Sequence, residues 1–268
     1  MNHLFRELAP VSDEAWSQID AEATRTLRHY LTARRLVAFN GPKGWEHSAE
    51  PTGRTNILPA APAVNVEALG RQVQPLIELR APFTIPRDEL DAIGRGARDS
   101  NLDPVRDAAR HLALAEDTAI FEGYEAGQIA GIGQCSPHQA LPVGDNYAEY
   151  PGTVARAVAT LQEAGVAGPY AIALGPRCYT GVIETTEHGG YPLLEHLRLI
   201  LGGPALWAPA VDGAVVLSTR GGDYELTVGE DTAIGHLSHD GTNVTFYLEE
   251  TFTFRVLSPE AAVALRYP

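Results

Sequence analysis

Residues 244–256 read VTFYLEETFTFRV, and this stretch decides the fold class. Val244, Phe246, Leu248, Phe252, Phe254 and Val256 alternate with Thr245, Tyr247, Glu249, Thr251, Thr253 and Arg255, and only Glu250 interrupts the apolar series. Successive side chains of a strand point to opposite faces, so this period of two predicts one long strand. Asp240-Gly241 just before it is the residue pair of a tight hairpin turn. Ala214–Ser218 and Tyr224–Val228 read as two shorter strands, which makes the C-terminal part β-rich.

Upstream the period changes to that of helices. Trp16, Ile19, Ala23, Leu27, Tyr30 and Leu31 step by three and four, predicting a helix over 13–35 with Ser12 as its cap. Asp13 and Glu14 open it and Arg25, Arg28, Arg34 and Arg35 close it, as the helix dipole favours. Asp103 as cap and Pro104 at the first helical position predict a second helix, its stripe built from Val105, Ala108, Leu112, Ala115, Ala119 and Ile120. Helices are also expected at 151–164, 177–186 and 193–201, with a strand at 170–174 and a break at Gly189-Gly190. Helices and strands that mostly do not alternate give an α+β class.

Between the first two helices the pattern dissolves. Prolines and glycines break residues 39–62, and residues 71–84 read as extended, with Pro75 and Pro82 pointing to an edge strand or a protruding arm. Residues 48–85 thus read as one long excursion that packs poorly on itself. Such segments are commonly functional or held by a partner.

The chain has 268 residues, 44% of them hydrophobic, and a net charge of −14. That much apolar material excludes a disordered chain, and the acidic balance argues against a general nucleic-acid binder. No basic start followed by an apolar run opens the sequence, and no run of 18 apolar residues occurs, so neither a secretion signal nor a membrane span is expected. Cytoplasmic residence is the default. Cys135 and Cys178 form no CxxC pair. No GxSxG, GxxxxGK[ST] or HExxH motif is present, and no catalytic residue is assigned. His236 and His239, three apart in extended chain, would face opposite ways, so no metal site is assigned either. Cys178 with His188 or His196 makes a weak nucleophile-and-base pairing.

Several segments, in order and at their spacing, resemble the encapsulins, a family of nanocompartment shell proteins (linocin-M18-like, family 1). They are Leu8-Ala9-Pro10 before Trp16, Gly41-Pro42 with Gly44-Trp45, Arg80-Ala81-Pro82-Phe83-Thr84, Glu89-Leu90-Asp91, and Glu116-Asp117 with Ile120-Phe121-Glu122-Gly123. Gly168-Pro169-Tyr170, Arg220-Gly221-Gly222-Asp223, Ile234-Gly235 and Glu250-Thr251-Phe252-Thr253-Phe254 complete the series across the whole chain. The resemblance implies an HK97-like capsid fold with a peripheral domain, an axial domain and an extended loop. On that pattern residues 1–47 hold the N-terminal helix and the start of the peripheral domain, and 48–85 the extended loop. Residues 86–135 hold the peripheral domain with its long helix, 136–228 mainly the axial domain, and 229–268 the closing peripheral strands.

The resemblance also implies a function: self-assembly into an icosahedral shell, on the order of sixty copies at this chain length. Cargo proteins would enter by a C-terminal targeting peptide docked on the inner wall, ferritin-like proteins and dye-decolourising peroxidases being the usual partners, with iron storage implied through the cargo. By motif match Leu27, Leu31, Arg34 and Ile234 form the dock, with Ala38 at a position that is often acidic. Glu187, His188, Gly189, Gly190 and Tyr191 match the loop lining the fivefold pore. Asp88 stands where flavin-binding relatives carry tryptophan, so no cofactor is expected. The rivals are a secreted bacteriocin or protease, and a viral capsid subunit holding nucleic acid.

Overall fold

The computed structural model describes residues 3–186 and 190–268. In chain order the helices are α1 (Asp13–Tyr30), α2 (Arg87–Gly94), α3 (Asp103–Phe121), α4 (Ile132–Cys135), α5 (Tyr150–Glu163), α6 (Pro176–Glu184) and α7 (Leu193–Leu201). The strands begin with β1 (Ala38–Asn40), β2 (Ala49–Ile57), β3 (Leu69–Pro75), β4 (Ile77–Pro86), β5 (Leu141–Pro142) and β6 (Tyr170–Leu174). They continue with β7 (Ala205–Trp207), β8 (Ala214–Ser218), β9 (Tyr224–Val228), β10 (Ala233–His239), β11 (Asn243–Val256) and β12 (Ala262–Arg266).

Two sheets organise the chain. In the first, β11 is the spine: β4 runs antiparallel along one edge, and β10 runs antiparallel along the other. β9 takes the last residues of β11, and β1 adds parallel to β9. The second sheet has the order β5-β12-β8-β6-β7. The two apolar clusters follow these sheets. One joins α1, α2 and α3 to Phe83, Ile85, Ile234, Val244, Phe246 and Leu248. The other joins α5, α6 and α7 to the second sheet and reaches Phe252 and Phe254. Both β11 and α3 contribute to both clusters and so tie the two halves together.

The long strand is buried on both faces from Phe246 to Thr253, beyond the half-buried strand that its alternation predicts. Pro82 sits in β4, whose only ladder partner among the described residues is β11, so its missing N–H falls on a free edge. The extended stretch at 71–84 is two strands: β3 pairs with β2, and after Leu76 the chain turns into β4.

Helix ends differ from expectation for local reasons. The Leu102 carbonyl accepts the Arg106 N–H, so Leu102 is the cap and Asp103 the first helical residue. The first helix stops at Tyr30, not Arg35, because Asp117 accepts the Thr32 and Ala33 N–H groups that would otherwise continue it. At the other end Ser12 Oγ accepts the Ala15 N–H at 3.2 Å. Ser12→Ala should therefore cost about 1 kcal/mol, read as a shift in the unfolding midpoint.

Candidate functional site

Leu27 and Leu31 lie one turn apart at the end of α1, and Arg34 follows on the short 3₁₀ turn Ala33–Arg35. With Thr24, Arg28, Arg35, Asp231 and Thr232 they line an open groove of about 450 Å³. Leu27 and Leu31 are 8% and 9% exposed, so each is a core residue that shows one edge to the groove. Ile234 is 4% exposed, pairs with Leu248, and belongs to the same apolar cluster without lining the groove. The structure thus brings three of the four expected residues to one surface and places the fourth in the core. Ala38 is exposed on β1.

Arg34 is not free to meet a ligand. Its guanidinium donates to Glu116 Oε2 at 2.5 Å, to Asp231 Oδ1 at 2.7 Å and to Glu250 Oε2 at 3.1 Å. Glu116 and Glu250 are fully buried, as is the neighbouring Asp117. Burial disfavours the charged form of Glu250, the Glu116 charge adds to that, and its pKa rises well above the carboxylate range despite Arg34. Burial likewise pushes Asp117 up to about 8, helped by Glu116 and opposed by the two backbone N–H groups and Arg34. Arg34 therefore ties the end of α1 to α3, β11 and the loop before β10.

This cluster is what sequence reasoning missed, though its signals were visible. Glu116-Asp117 interrupts an alanine-rich helix stripe, and Glu250 is the one acidic residue in the apolar series of β11. Arg28 and Arg35 remain exposed on the groove rim, with no ion pair among the described residues.

The arm offers a second candidate surface. β2 and β3 form a two-stranded hairpin that pairs with no other strand among the described residues. Ile57 is 79% exposed, Val64 89%, Leu69 54% and Val73 53%, and none belongs to either apolar cluster.

Of the expected pore residues, Glu187, His188 and Gly189 lie outside the described residues. Thr186 and Pro192 form an isolated bridge, Gly190 is exposed with φ +80°, and Tyr191 is 45% exposed. Cys178 is fully buried between the hydroxyls of Tyr150 and Tyr267 at 3.1 and 3.2 Å, which denies a nucleophile access to substrate. The expectation that His236 and His239 face opposite ways is overturned: a bulge between His236 and Ser238 brings their rings 3.2 Å apart, nitrogen to nitrogen. Among the described residues no group of three or more His, Cys, Asp or Glu could hold a metal ion, and no helix is long and apolar enough to cross a membrane.

Residues 1–253 match the family described as Linocin_M18, encapsulating protein for peroxidase. The chain is 52% identical to a type 1 encapsulin shell protein of Rhodospirillum rubrum, over 99% of this chain and 97% of that one. It is 46% identical to the type 1 encapsulin shell protein of Mycobacterium tuberculosis, over the full length of both. Among solved structures, the virus-like particle from Pyrococcus furiosus superposes with a TM-score of 0.69 at 18% identity, covering 92% of this chain and 98% of that one. A structure of Mycobacterium phage Ogopogo gives 0.59 at 12% identity, covering 88% and 92%. At such identities the likeness speaks for the fold alone.

Proposed function

The chain belongs to the family of encapsulin shell proteins and has their HK97-like capsid fold, and we propose that it closes with identical copies into a hollow icosahedral compartment, on the order of sixty subunits. The observation that carries this reading is the arm. A hairpin with an exposed apolar surface and unpaired strand edges is a poor end state for an isolated chain, and a neighbouring subunit would cover it. The shell performs no chemistry itself; the exposed Gly190 and Tyr191 border its fivefold opening, which admits small substrates, and the compartment resides in the cytoplasm.

The enclosed partner is an enzyme, a dye-decolourising peroxidase in keeping with the family description or a ferritin-like protein, held by a C-terminal targeting peptide in the groove at the end of α1. The exposed edges of Leu27 and Leu31 supply apolar contact, worth up to about 1.5–3 kcal/mol per fully buried peptide side chain. Arg34 serves the groove by fixing its wall, because its charge is spent on Glu116, Glu250 and Asp231. Arg28 and Arg35 are the cations left to take the peptide's terminal carboxylate. Several weak docks in one shell then retain a multimeric cargo by avidity.

Electron microscopy of the purified protein should show hollow spheres. A stable monomer eluting near its mass of 28.8 kDa would overturn the shell reading. Particles that absorb as nucleoprotein would favour the viral capsid instead. For the dock, the double variant Arg28→Glu, Arg35→Glu should form normal shells whose affinity for one targeting peptide falls by about tenfold or more. Titration with a labelled peptide checks it, and unchanged binding would remove the rim arginines from the dock. Aspartate at Leu27 or Ile234 would be a poorer test, since both positions also hold the core together.

A further inference from the structure

The β10–β11 hairpin carries two histidines that neither the groove nor the arm uses. In the ladder His236 stands opposite Phe246 and His239 opposite Val244. Phe246 and Val244 are two apart and both fully buried, so they point to one face. The bulge spends one extra residue of β10 between the two histidines, which puts both imidazoles on that same face. Nδ1 of His239 then lies 3.2 Å from Nε2 of His236, with the rings 34° apart.

That spacing suits more than a hydrogen bond. Two nitrogens bound to one zinc ion at about 2.0–2.1 Å in tetrahedral geometry stand about 3.3 Å apart. We propose that His236 and His239 form a two-imidazole site for a divalent transition-metal ion of the zinc class. One ring is held in place before any ion arrives: His236 is 8% exposed, sits edge-on to Phe246 and is bonded through its backbone N–H to Leu4. His239 is exposed and gives the ion a way in.

In the metal-free pair one facing nitrogen donates to the other. On binding, the donating ring moves its hydrogen to its far nitrogen, both facing lone pairs go to the ion, and no net proton is released. The nearby Asp240 forms no three-ligand group with the two histidines, and its Oδ1 accepts the Thr242 and Asn243 N–H groups and the Thr242 hydroxyl. No third His, Cys, Asp or Glu among the described residues completes the set. The bound ion thus keeps positions for water or for a donor from outside the subunit.

The test is calorimetric titration of EDTA-treated assembled protein with Zn²⁺ at neutral pH, alongside His239→Ala and, as a control, His111→Ala. The wild type and His111→Ala should bind about one ion per subunit, and His239→Ala should bind about tenfold more weakly or not at all. Dynamic light scattering should find all three particles the same size. Because His239 is exposed, its replacement leaves the core intact. Co²⁺ should give tetrahedral absorption bands with the wild type that vanish in His239→Ala. Equal Zn²⁺ affinity in wild type and His239→Ala, or no saturable binding by the wild type, would overturn the proposal, and neither result would bear on shell assembly.

Discussion

Serine at Ile57, Leu69 and Val73 together should leave the subunit folded and unable to close into particles. Ile57 and Leu69 face each other across the hairpin, and Val73 stands opposite Pro51. All three are more than half exposed and contribute nothing to either apolar cluster, so the change removes no contact from the core. In the proposed shell a neighbour would cover the same side chains, and each is worth about 1.5–3 kcal/mol when fully buried. The loss is then on the order of 5 kcal/mol per subunit, repeated at every copy of the contact. Size exclusion with light scattering should find monomers or small oligomers, and circular dichroism should find native helix and strand content. Particles of normal size at normal yield would show that the arm is not what joins subunits.

The strand expected at 244–256 is present as β11 because its signal is local. Thirteen residues of period-two alternation and an Asp-Gly turn need no distant partner to be understood. The same holds for α3, whose stripe is long, and for α5, found within one residue of its expected span. What stayed hidden depends on contacts far apart in the chain. The end of α1 is decided by Asp117, 85 residues beyond Thr32. β12, Ala262–Arg266, is a short apolar run that could be helix or strand until β8 pairs with it. The bulge in β10 leaves no mark in the sequence, and that one residue reverses the reading of His236 and His239.

The groove was legible by resemblance for Leu27, Leu31 and Arg34, which do line it. The role expected for Arg34 changes, however, once its three acidic partners are seen. Those partners come from α3, from β11 and from the loop before β10, and nothing in sequence spacing joins them.

Arg34→Met should be the most destabilising single change at the groove. Arg34 is the cation bonded to two carboxylates, Glu116 and Glu250, that have no contact with solvent, and only 15% of its side chain is exposed. Removing one partner of a buried ionic cluster leaves uncompensated charge and costs about 3–5 kcal/mol. The effect should depend on pH with a definite sign. Unfolded, Asp117 gives up its proton near the ordinary carboxylate value of about 3.9. Folded, it holds that proton up to about 8. Between those values the folded chain binds a proton that the unfolded chain does not, so this stability is complete only below the window and is lost as pH rises through it. Glu250 is shifted in the same direction. Glu22 and Glu50 act oppositely: burial is outweighed by hydrogen bonds from Arg25 and Arg106 and from Lys43 and His47, their pKa values are lowered, and their contribution is lost in acid. Unfolding midpoints should therefore fall from pH 6 to pH 9, more steeply in Arg34→Met than in the wild type, because no cation remains to receive the carboxylates as they ionise. Glu250→Gln in the Arg34→Met background should recover part of the loss, since a neutral amide of the same shape replaces a carboxyl forced to carry a proton or an unpaired charge. At about 2–4 °C per kcal/mol these differences are readable by calorimetry. An Arg34→Met protein as stable as wild type at pH 9, or one gaining stability with rising pH, would mean that the cluster does not hold the end of α1 in place.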